Sequence, residues 1–600
     1  MTENVNANLI QTIVQSFTLH SEKYPHKDAV ISDGSISYVN LNQYVNRIAN
    51  CLLELDQRQL PVATFLDNGI DYVAGILGIG KSRNLFLPLE LHWPKTRTAD
   101  VIALAMPRVI LTNPVEKPNL LALGRDFTNL LENTYLVTLA GHEQALCVEK
   151  IVKGRLAPVI EMMFSDTRPS IEVKGDDSFY LLPTSGSTGK PKIIEGLHGS
   201  LSHFLAWERE ELCLGDQVRG MAMAPVSFDV SLRDIFMPLT SGGTLFIPPV
   251  HVKANPEALI RWIGDCQINL IHLVPSVIRL LIQTCADQPS LKKNLSSLRY
   301  MLSAGEPLYG SDVLGIRESI NPQLTMINIY GLTETTLAKV YYRIQEIGDP
   351  HKIIPLGNPL PDTKIIIMDG ERVCVHGEVG EICIQTAYPA KGFYKDKVHT
   401  QEKYQFVENG TMVRFRTNDL GQIQENGLLV YHGRMDDQIK IRGNRVELLE
   451  VEQCLMKHPG IKKVALIPQT DVEHQVSLLC FYLSPLGISS DVTEFREYLN
   501  GRLPHYMHPS QFIHMQEFPL RLNGKLDKLS LLEQGWRPLS QLGESNPPKG
   551  EVEVKLANFW REIFKTEDIY RESSFVVLGG SSLNAMRLIS KIYNEFHIIL

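Results

Sequence analysis

A chain of 600 residues, with 44% hydrophobic and 21% charged residues, is too long for one hydrophobic core and predicts several globular domains. The formal net charge of −8 gives no reason to expect nucleic acid or a membrane as a partner, and no apolar run approaches the length of a membrane span. The nine cysteines lack CxxC spacing, which argues against a zinc site or disulfide framework and favours a reducing, cytoplasmic location.

The predicted elements alternate between strands and helices from about residue 20 to 430. The runs LLPT, QINLIHLVP and TMINIYG are typical of buried strands, and ADVIALAMP and PEALIRWIGDC are typical of amphipathic helices. This alternation predicts an α/β fold of layered sheets and helices. Residues 353–431 are richer in strands and turns, which indicates a β-barrel-like subdomain. A second, small and mobile α/β unit follows, with strands at KKVALIPQ and VSLLCFYLSP.

The stretch LLPTSGSTGKPK, residues 181–192, resembles a phosphate-binding loop but does not fit the Walker pattern. Only two residues separate Gly186 from Gly189, and Pro191 follows Lys190. Because proline disfavours the helical region for the residue before it, no helix can begin at Lys190. The flanking apolar runs predict that this loop joins a strand to a strand, so P-loop NTPases become less favoured.

Backbone N–H groups and hydroxyls in this loop could surround a polyphosphate, with Lys190 adding positive charge. The hydroxyls belong to Thr184, Ser185, Ser187 and Thr188. A polar surface hairpin explains the loop alone equally well.

The chain changes character at SQLGESNPPKGEVE, residues 540–553, where glycine, serine, asparagine and proline predict a linker. Apolar residues then recur at helical spacing, at Val552, Leu556, Phe559, Trp560 and Ile563. The run SSFVVLGGSSLNAMRLISKI follows, in a unit too short to bury much core alone.

Nine motifs together resemble the adenylate-forming superfamily, and specifically the amino-acid adenylation domains of nonribosomal peptide synthetases. In chain order they are ISYVNLN, the phosphate loop, SFDVSLRDIF, NIYGLTETT, GEICIQ, FRTNDLG, GRMDDQIKIRGNRVELLEVE, LPHYMHP and LNGKLDK. The resemblance implies that a substrate carboxylate attacks the α-phosphate of ATP, giving an acyl adenylate and pyrophosphate. An anion then approaches a polyanion, so positive charge and fixed donors are needed at the phosphates.

The resemblance also assigns the nucleotide site. The leaving pyrophosphate is held by the loop residues Thr184, Ser185, Gly186, Ser187, Thr188, Gly189 and Lys190. Catalysis and Mg²⁺ binding involve Thr333, at the α-phosphate, and Glu334, at the metal ion. Tyr330 stacks near the adenine, Asp419 binds the ribose hydroxyls, and Arg434 assists near the ribose or phosphates.

Lys525 is the main catalytic candidate, a point charge between the carboxylate and the α-phosphate. Without the other motifs it would be an exposed lysine in a turn beside Asn523 and Gly524. Asp436 matches the family's hinge, about which the small domain rotates between two half-reactions. The alternative interpretation is that Asp436 is an ordinary loop aspartate. The chain departs from the family pattern at Ile193, Leu332 and Asn418, where the departures affect local turn geometry and not the reaction class.

The run FVVLGGSSLNAMRLI resembles the carrier-protein motif, in which Ser582 takes a 4′-phosphopantetheine arm. Gly579 and Gly580 would leave this loop open to a modifying enzyme, and the apolar spacing after Leu583 places Ser582 at a helix N-terminus. The alternative is a simple serine N-cap. We expect the carrier to be truncated before its last helix, so we do not expect it to be loaded on its own.

Asp229, in SFDVS, matches the aspartate that pairs with the α-ammonium of amino-acid substrates. The other pocket positions carried over from the family are Val230, Arg233, His272, Leu302, Ala304, Ile329, Leu337 and Ala338. A buried arginine needs a partner. Arg233 could meet an acidic or strongly polar substrate side chain, as in relatives that activate aminoadipate. It could instead turn away to pair with Asp234 or another residue, leaving a mostly apolar pocket.

The predicted boundaries are a large adenylation subdomain at 1–434, a small one at 435–535, a linker at 536–550 and a truncated peptidyl carrier domain at 551–600. The predicted function is amino-acid activation and thioester transfer, in an initiation module or a stand-alone loader. The expected partners are an amino acid, the carrier in cis, a phosphopantetheinyl transferase and downstream synthetase modules. An acyl- or aryl-CoA ligase is the alternative, and a silent scaffold is disfavoured because Lys190, Glu334, Asp419 and Lys525 occur together.

Overall fold

Sheets with helices around and between them form most of the chain. The structure is a computed structural model that describes residues 11–56, 58–127, 129–185, 191–436, 438–471, 474–485, 492–519, 528–533, 546–564, 566, 567, 569–571, 573, 575, 578 and 582–596. The α-helices of these residues are α1 (Ile13–Lys23), α2 (Tyr38–Glu54), α3 (Ile70–Lys81), α4 (Lys95–Ala105), α5 (Lys117–Asp126), α6 (His198–Glu211), α7 (Asp229–Thr240), α8 (Val250–Lys253), α9 (Pro256–Asp265), α10 (Pro275–Asp287), α11 (Gly310–Ser319), α12 (Lys397–Lys403), α13 (Leu448–Leu455), α14 (Val492–Asn500), α15 (Lys528–Glu533), α16 (Gly550–Phe564) and α17 (Ser582–Phe596).

Two large sheets lie in the N-terminal part. The first contains β1 (Asp28–Ile31), β2 (Ser35–Ser37), β11 (Arg219–Met221), β12 (Thr244–Phe246), β13 (Leu270–Leu273), β14 (Tyr300–Ser303), β15 (Thr325–Tyr330), β16 (Val340–Arg343) and β17 (Asn358–Pro359). The second contains β3 (Pro61–Phe65), β4 (Leu85–Pro88), β5 (Val109–Thr112), β6 (Tyr135–Thr138), β7 (Leu146–Val152), β8 (Arg155–Met162), β9 (Ser178–Thr184), β10 (Lys192–Leu197) and β21 (Gly392–Phe393).

Among the described residues, the strand order is β17-β16-β15-β14-β13-β11-β12-β1-β2 in the first sheet and β21-β10-β9-β4-β3-β5-β6-β7-β8 in the second. One buried apolar cluster joins side chains of both sheets with Ile48 of α2, Ile76 of α3, Phe204 of α6 and Leu232 of α7. The helices therefore fill the space between the sheets, and the predicted α/β layering is confirmed.

A third, antiparallel sheet corresponds to the strand-rich region. It contains β18 (Thr363–Asp369), β19 (Arg372–Val373), β20 (Gly380–Thr386), β22 (Tyr404–Val407), β23 (Met412–Ile423) and β24 (Leu429–Arg434), in the order β19-β18-β20-β23-β22 with β24 on β23. The small unit follows with β25 (Gln438–Ile441), β26 (Asn444–Glu447), β27 (Lys463–Thr470), β28 (Val476–Leu483) and β29 (Gln511–His514). It has a core of its own around Val446, Leu455, Tyr482, Phe495 and Phe512, so the predicted second α/β unit is confirmed.

Local sequence signals account for several of these elements. Strands β9 and β10 pair antiparallel with Thr184 opposite Lys192, so the loop at 181–192 joins strand to strand as predicted. Helix α9 begins after Asn255, whose side chain accepts hydrogen bonds from the N–H groups of Glu257 and Ala258 at 3.0 and 3.1 Å. Helix α16 begins at Gly550, the last residue of the predicted linker.

The small unit contacts the large one through a buried ion pair. Arg97 of α4 donates from a guanidinium nitrogen to the Glu450 carboxylate of α13 at 3.0 Å, and the two side chains are 5% and 4% exposed. In a second contact between the two units, the rings of Tyr309 and His474 stack with centroids 3.8 Å apart. The ion pair places α13 against α4, and the stacked rings join a second part of the small unit to the large one.

Lys339 is a buried cation between β15 and β16. It is fully buried, its Nζ has no hydrogen-bond partner among the described residues, and burial lowers its pKa to about 7. The folded state therefore binds the Lys339 ammonium proton less tightly than the unfolded state does. The resulting loss of folding stability is largest below pH 7 and disappears as the pH rises toward the ordinary lysine pKa near 10.5.

We therefore expect Lys339→Met to raise the free energy of unfolding by about 2 kcal/mol near pH 7, and by less near pH 10. Thermal unfolding of the full chain at both pH values measures the effect. The exposed Lys352→Met serves as the control. A Lys339→Met protein no more stable than the parent at pH 7 would contradict the prediction.

Candidate active site

The candidate site lies where parallel strands of the first sheet end. Strands β11, β13, β14 and β15 run parallel, so their carboxyl ends meet at one edge, where α/β sheets commonly bind ligands. A cavity of about 700 Å³ opens there, lined by His272 of β13, Ala304 after β14, and Ile329 and Tyr330 at the end of β15. It continues to Lys440 of the small unit, so both units contribute to one site.

Asp419 is held on both carboxylate oxygens. The Tyr330 hydroxyl donates to Oδ2 and an Arg434 guanidinium nitrogen donates to Oδ1, each at 2.6 Å. Asp419 on β23 and Arg434 on β24 are direct partners in the antiparallel ladder, which explains this proximity. Asp419 is 3% exposed, and burial, followed by the charge of Asp419, raises the pKa of Tyr330 well above its usual range. The result is a rigid carboxylate with lone pairs left to accept further hydrogen bonds.

Asp436 lies just after β24, where the third sheet ends and the small unit begins. Arg434 donates from Nε and NH2 to its two oxygens at 2.7 and 2.8 Å, and Asn418 donates from Nδ2 at 3.0 Å. Burial opposes ionisation of Asp436, but these hydrogen bonds outweigh it and lower its pKa. Asn418 has φ of +61°, a left-handed conformation that asparagine tolerates, so its replacement of the family's glycine keeps this turn.

Glu334 is buried beside a cation from the small unit. Arg445 of β26 donates from NH1 to Glu334 Oε1 at 2.6 Å, while Oε2 is buried with no hydrogen-bond partner in the described part of the chain. Burial would raise the pKa of Glu334, but the charge and hydrogen bond of Arg445 outweigh it and lower this pKa. Ser185 Oγ donates to the Arg445 carbonyl at 3.2 Å, so β26 lies over the end of β9.

The Glu334 carboxylate fits a magnesium ion that a nucleotide brings with it. Mg²⁺ prefers oxygen ligands and commonly takes one or two carboxylates together with substrate phosphates. The unpartnered Oε2 supplies such an oxygen. The described residues contain no group of three or more His, Cys, Asp or Glu side chains able to hold a metal by themselves, so phosphate oxygens would have to complete the coordination.

Asp229 is the first residue of α7 and lines the same cavity. Its Oδ1 accepts the N–H of Val230 at 2.9 Å, and both this contact and the Thr333 side chain favour the ionised form of the carboxylate. Burial raises its pKa, and these interactions oppose the shift only in part. Asp229 is therefore a desolvated carboxylate that gains from a cationic partner.

Most of the predicted substrate-pocket residues lie together. The cavity wall includes Asp229, Val230, Arg233, His272, Ala304, Ile329, Leu337 and Ala338. Leu302 is the exception: it is fully buried in the core between the sheets and is not among the described residues that line the cavity. The prediction of Leu302 as a contact residue is therefore corrected to a packing position behind the wall.

Arg233 does not present a free charge to the cavity. It donates from Nε to Glu208 Oε2 at 3.0 Å, from NH2 to the other oxygen of Glu208, and from NH1 to Asp234 Oδ1 at 3.2 Å. Of the two interpretations of this residue, the one in which it pairs with Asp234 or another protein side chain matches the structure.

Some predicted residues lie outside the described part of the chain. These are Gly186, Ser187, Thr188, Gly189, Lys190 and Lys525. Helix α17 begins at Ser582, but that side chain is not described.

Sequence reasoning missed three charged residues, Glu208, Lys440 and Arg445. Lys440 lines the cavity, and burial lowers its pKa while the charge of Asp419 partly offsets this. Lys440 and Arg445 both lie in the motif GRMDDQIKIRGNRVELLEVE, and strand alternation in QIKI, which puts Lys440 on the face of Gln438, was an available signal. Glu208 had no local signal, because its partner Arg233 is 25 residues away.

Residues 17–394 match the family described as AMP-binding enzyme, and residues 450–525 match the AMP-binding enzyme C-terminal domain. The chain belongs to the AMP-binding enzyme family. Among curated members, a mycosubtilin synthase polypeptide of Bacillus subtilis is 28% identical over 97% of this chain and 21% of its own length. Tyrocidine synthase 1 of Brevibacillus parabrevis is 27% identical over 97% of this chain and 50% of its own length. The chain thus spans half or less of these two relatives.

Solved AMP-binding enzymes share the fold. Holo-PA1221, an NRPS (nonribosomal peptide synthetase) protein containing adenylation and PCP (peptidyl carrier protein) domains and bound to a vinylsulfonamide inhibitor, superposes with a TM-score of 0.75 at 22% identity. It covers 98% of this chain and 92% of its own. The Vibrio cholerae adenylation domain AlmE, solved with glycyl-adenosine-5′-phosphate, gives 0.74 at 20% identity, over 89% and 98%. The predicted resemblance to adenylation domains followed by a carrier domain is confirmed, as is the fold class. Among the described helices, none is long and apolar enough to cross a membrane.

Proposed function

We propose that this AMP-binding enzyme activates an amino acid as its aminoacyl adenylate and then passes it to a carrier domain in nonribosomal peptide synthesis. The observation that carries the proposal is the single cavity that contains both Asp229 and Asp419. One carboxylate suits an ammonium group and the other suits a ribose diol, so an amino acid and a nucleotide can meet between them. The names of mycosubtilin and tyrocidine synthases support this chemistry.

In the proposed reaction, Asp229 pairs with the substrate's α-ammonium and so orients its carboxylate. A carboxylate oxygen attacks the α-phosphorus of ATP, the bond from that phosphorus to the bridging oxygen breaks, and pyrophosphate leaves. Thr333 lines the same cavity as Asp229 and connects the amino-acid side of the cavity to the α-phosphate. Lys525 stabilises the charge of the transition state, and residues 184–190 hold the leaving group.

The nucleotide is oriented by the pair formed by Asp419 and Tyr330, with Arg434 fixing the carboxylate. Glu334 would hold Mg²⁺ together with phosphate oxygens, and the ion would supply positive charge to the phosphates. The small unit rotates about Asp436 between the two half-reactions.

Ser582 would carry 4′-phosphopantetheine, which supplies the thiol that receives the aminoacyl group. The beginning of α17 at Ser582 fits this group, because free N–H groups at a helix N-terminus favour a phosphodiester. A phosphopantetheinyl transferase would attach the arm, and downstream modules would take the product. Since all nine cysteines are free thiols, we place this chemistry in the cytoplasm.

The experiment that tests the function is ATP–pyrophosphate exchange across all proteinogenic amino acids and several hydroxy and aryl acids. We expect exchange with at least one amino acid and none with the acids that lack an α-amino group. An acyl- or aryl-CoA ligase is the competing function, and o-succinylbenzoate CoA synthetase shares this fold with a TM-score of 0.69. That alternative gives no role to Asp229. It predicts adenylation of an acid without an α-amino group and consumption of free coenzyme A, and either result would overturn the proposal.

A further inference from the structure

The substrate pocket ends at a buried charge cluster. Arg233 sits between two carboxylates, Glu208 and Asp234, and the three side chains are 3%, 0% and 1% exposed. Asp234 uses its second oxygen to accept the main-chain N–H groups of Met223 and Ala224, at 3.2 and 3.3 Å. One guanidinium is thus already balanced by two carboxylates that the fold holds in place.

This balance disfavours an acidic substrate. A substrate carboxylate at Arg233 would be the third one around a single guanidinium, in a region from which water is largely excluded. Burying an ionised carboxylate without a free cationic partner is strongly unfavourable. His272, which lines the same cavity, cannot supply the charge, because burial and then the charge of Arg233 lower its pKa to about 3.

The same region nevertheless has hydrogen bonds to offer. His272 lines the cavity and is only 5% exposed. Its Nε2 atom is buried and has no hydrogen-bond partner among the described residues. Arg233 uses three of its five N–H groups on Glu208 and Asp234, which leaves two. A purely apolar substrate would leave these buried groups unpaired, at a cost in binding free energy.

A carboxamide side chain carries no charge and can still form hydrogen bonds with Arg233 and His272. Its oxygen accepts from the guanidinium, its NH₂ group donates, and it pairs with either tautomer of a neutral imidazole. Asp229 and Arg233 are four residues apart on one face of α7, separated by about one 5.4 Å turn. An α-ammonium at Asp229 therefore directs a side chain of asparagine or glutamine length toward Arg233.

We propose that this pocket selects an amino acid with a neutral carboxamide side chain, and that Glu208 excludes acidic amino acids by neutralising Arg233. This inference rests on the proposed function. Glu208 is a positioning residue: it lies behind Arg233 and acts on specificity through it. Val230 and Ile329 on the remaining wall add apolar contacts without charge.

Two sets of near-isosteric amino acids test the proposal by pyrophosphate exchange with the full chain: asparagine, aspartate and leucine, and glutamine, glutamate and methionine. We expect the carboxamide to lead at least one set by about tenfold or more in kcat/KM. A lead by the acidic member would overturn the claim that Arg233 is neutralised. A lead by leucine and methionine in both sets would overturn the claim that His272 and Arg233 need a hydrogen-bonding side chain.

The variant Glu208→Gln removes the charge and keeps the shape. We expect the preference for the carboxamide over its acid to fall by at least about tenfold, through the amino-acid KM, with the KM for ATP unchanged. The conservative variant Glu208→Asp keeps the charge and should retain the parent's order of substrates. An unchanged ratio in a folded Glu208→Gln protein would overturn the role of Glu208.

If Glu208→Gln does not fold, His272→Ala provides an independent test. Removing the imidazole should lower the preference for the carboxamide over its apolar isostere by about tenfold, and no change would overturn the proposal. Absence of exchange with every amino acid refutes the proposed function, whereas strong exchange with other amino acids but neither asparagine nor glutamine refutes the pocket assignment alone.

Discussion

Asp229→Asn should lower kcat/KM for the amino acid by about 10²- to 10³-fold while leaving nucleotide affinity unchanged. Asp229 is desolvated and lies in the cavity, so its charge is available to an ammonium group with little competition from water. Removing one partner of a buried charge pair costs about 3–5 kcal/mol, and 1.4 kcal/mol corresponds to a factor of ten. Pyrophosphate exchange against amino-acid concentration, with ATP binding measured separately, gives both quantities.

The pH dependence gives a second measure of the same residue. Burial raises the pKa of Asp229, so the parent should lose kcat/KM on the acid side at a higher pH than an exposed aspartate would allow. This loss of kcat/KM at low pH should be absent from the Asp229→Asn enzyme. The exposed Asp100→Asn on α4 is the control and should behave as the parent. If the Asp229→Asn enzyme had the same KM for the amino acid as the parent, Asp229 would not bind the substrate and the assignment would be wrong.

Lys525→Ala should lower the maximal rate of pyrophosphate exchange by about 10²- to 10³-fold. This is the effect of removing one donor that stabilises charge developing in a transition state. Because the lysine acts on the reaction more than on the bound substrates, we expect the loss in kcat, with amino-acid and ATP KM values changing less. Initial-rate exchange at saturating ATP and amino acid measures it.

Lys528→Ala is the matched control, since Lys528 is a second, exposed lysine three residues later, on α15. Its rate should equal the parent's. Substantial exchange by Lys525→Ala would end the assignment of a catalytic role to that lysine. Equal losses in both variants would point to a disturbed C-terminal segment.

The sequence predicted features that depend on short-range rules. Pro191 placed the loop at 181–192 between two strands, and β9 and β10 pair across it. The helical spacing of PEALIRWIGDC matched α9, whose start is fixed by the Asn255 cap. Period and capping act over a few residues, so a single sequence contains them.

Features that depend on tertiary contacts were not predictable. The neutralisation of Arg233 by Glu208 brings α6 and α7 together, and nothing near Arg233 in the sequence identifies that partner. The placement of Arg445 on Glu334 depends on how the small unit lies over the large one. Leu302 was misplaced because the resemblance gives its position in the chain but not the depth at which this core buries it.

The buried ion pair of Arg97 and Glu450 bears on the proposed rotation of the small unit against the large one. Separating α4 from α13 would return both ions to solvent, where hydration recovers much of the Coulomb energy given up. A buried ion pair of this kind defines one arrangement of the two units by its geometry. It adds little net stability to that arrangement. A small unit that rotates as proposed can therefore hold a well-defined register at this contact and still leave it at little energetic cost.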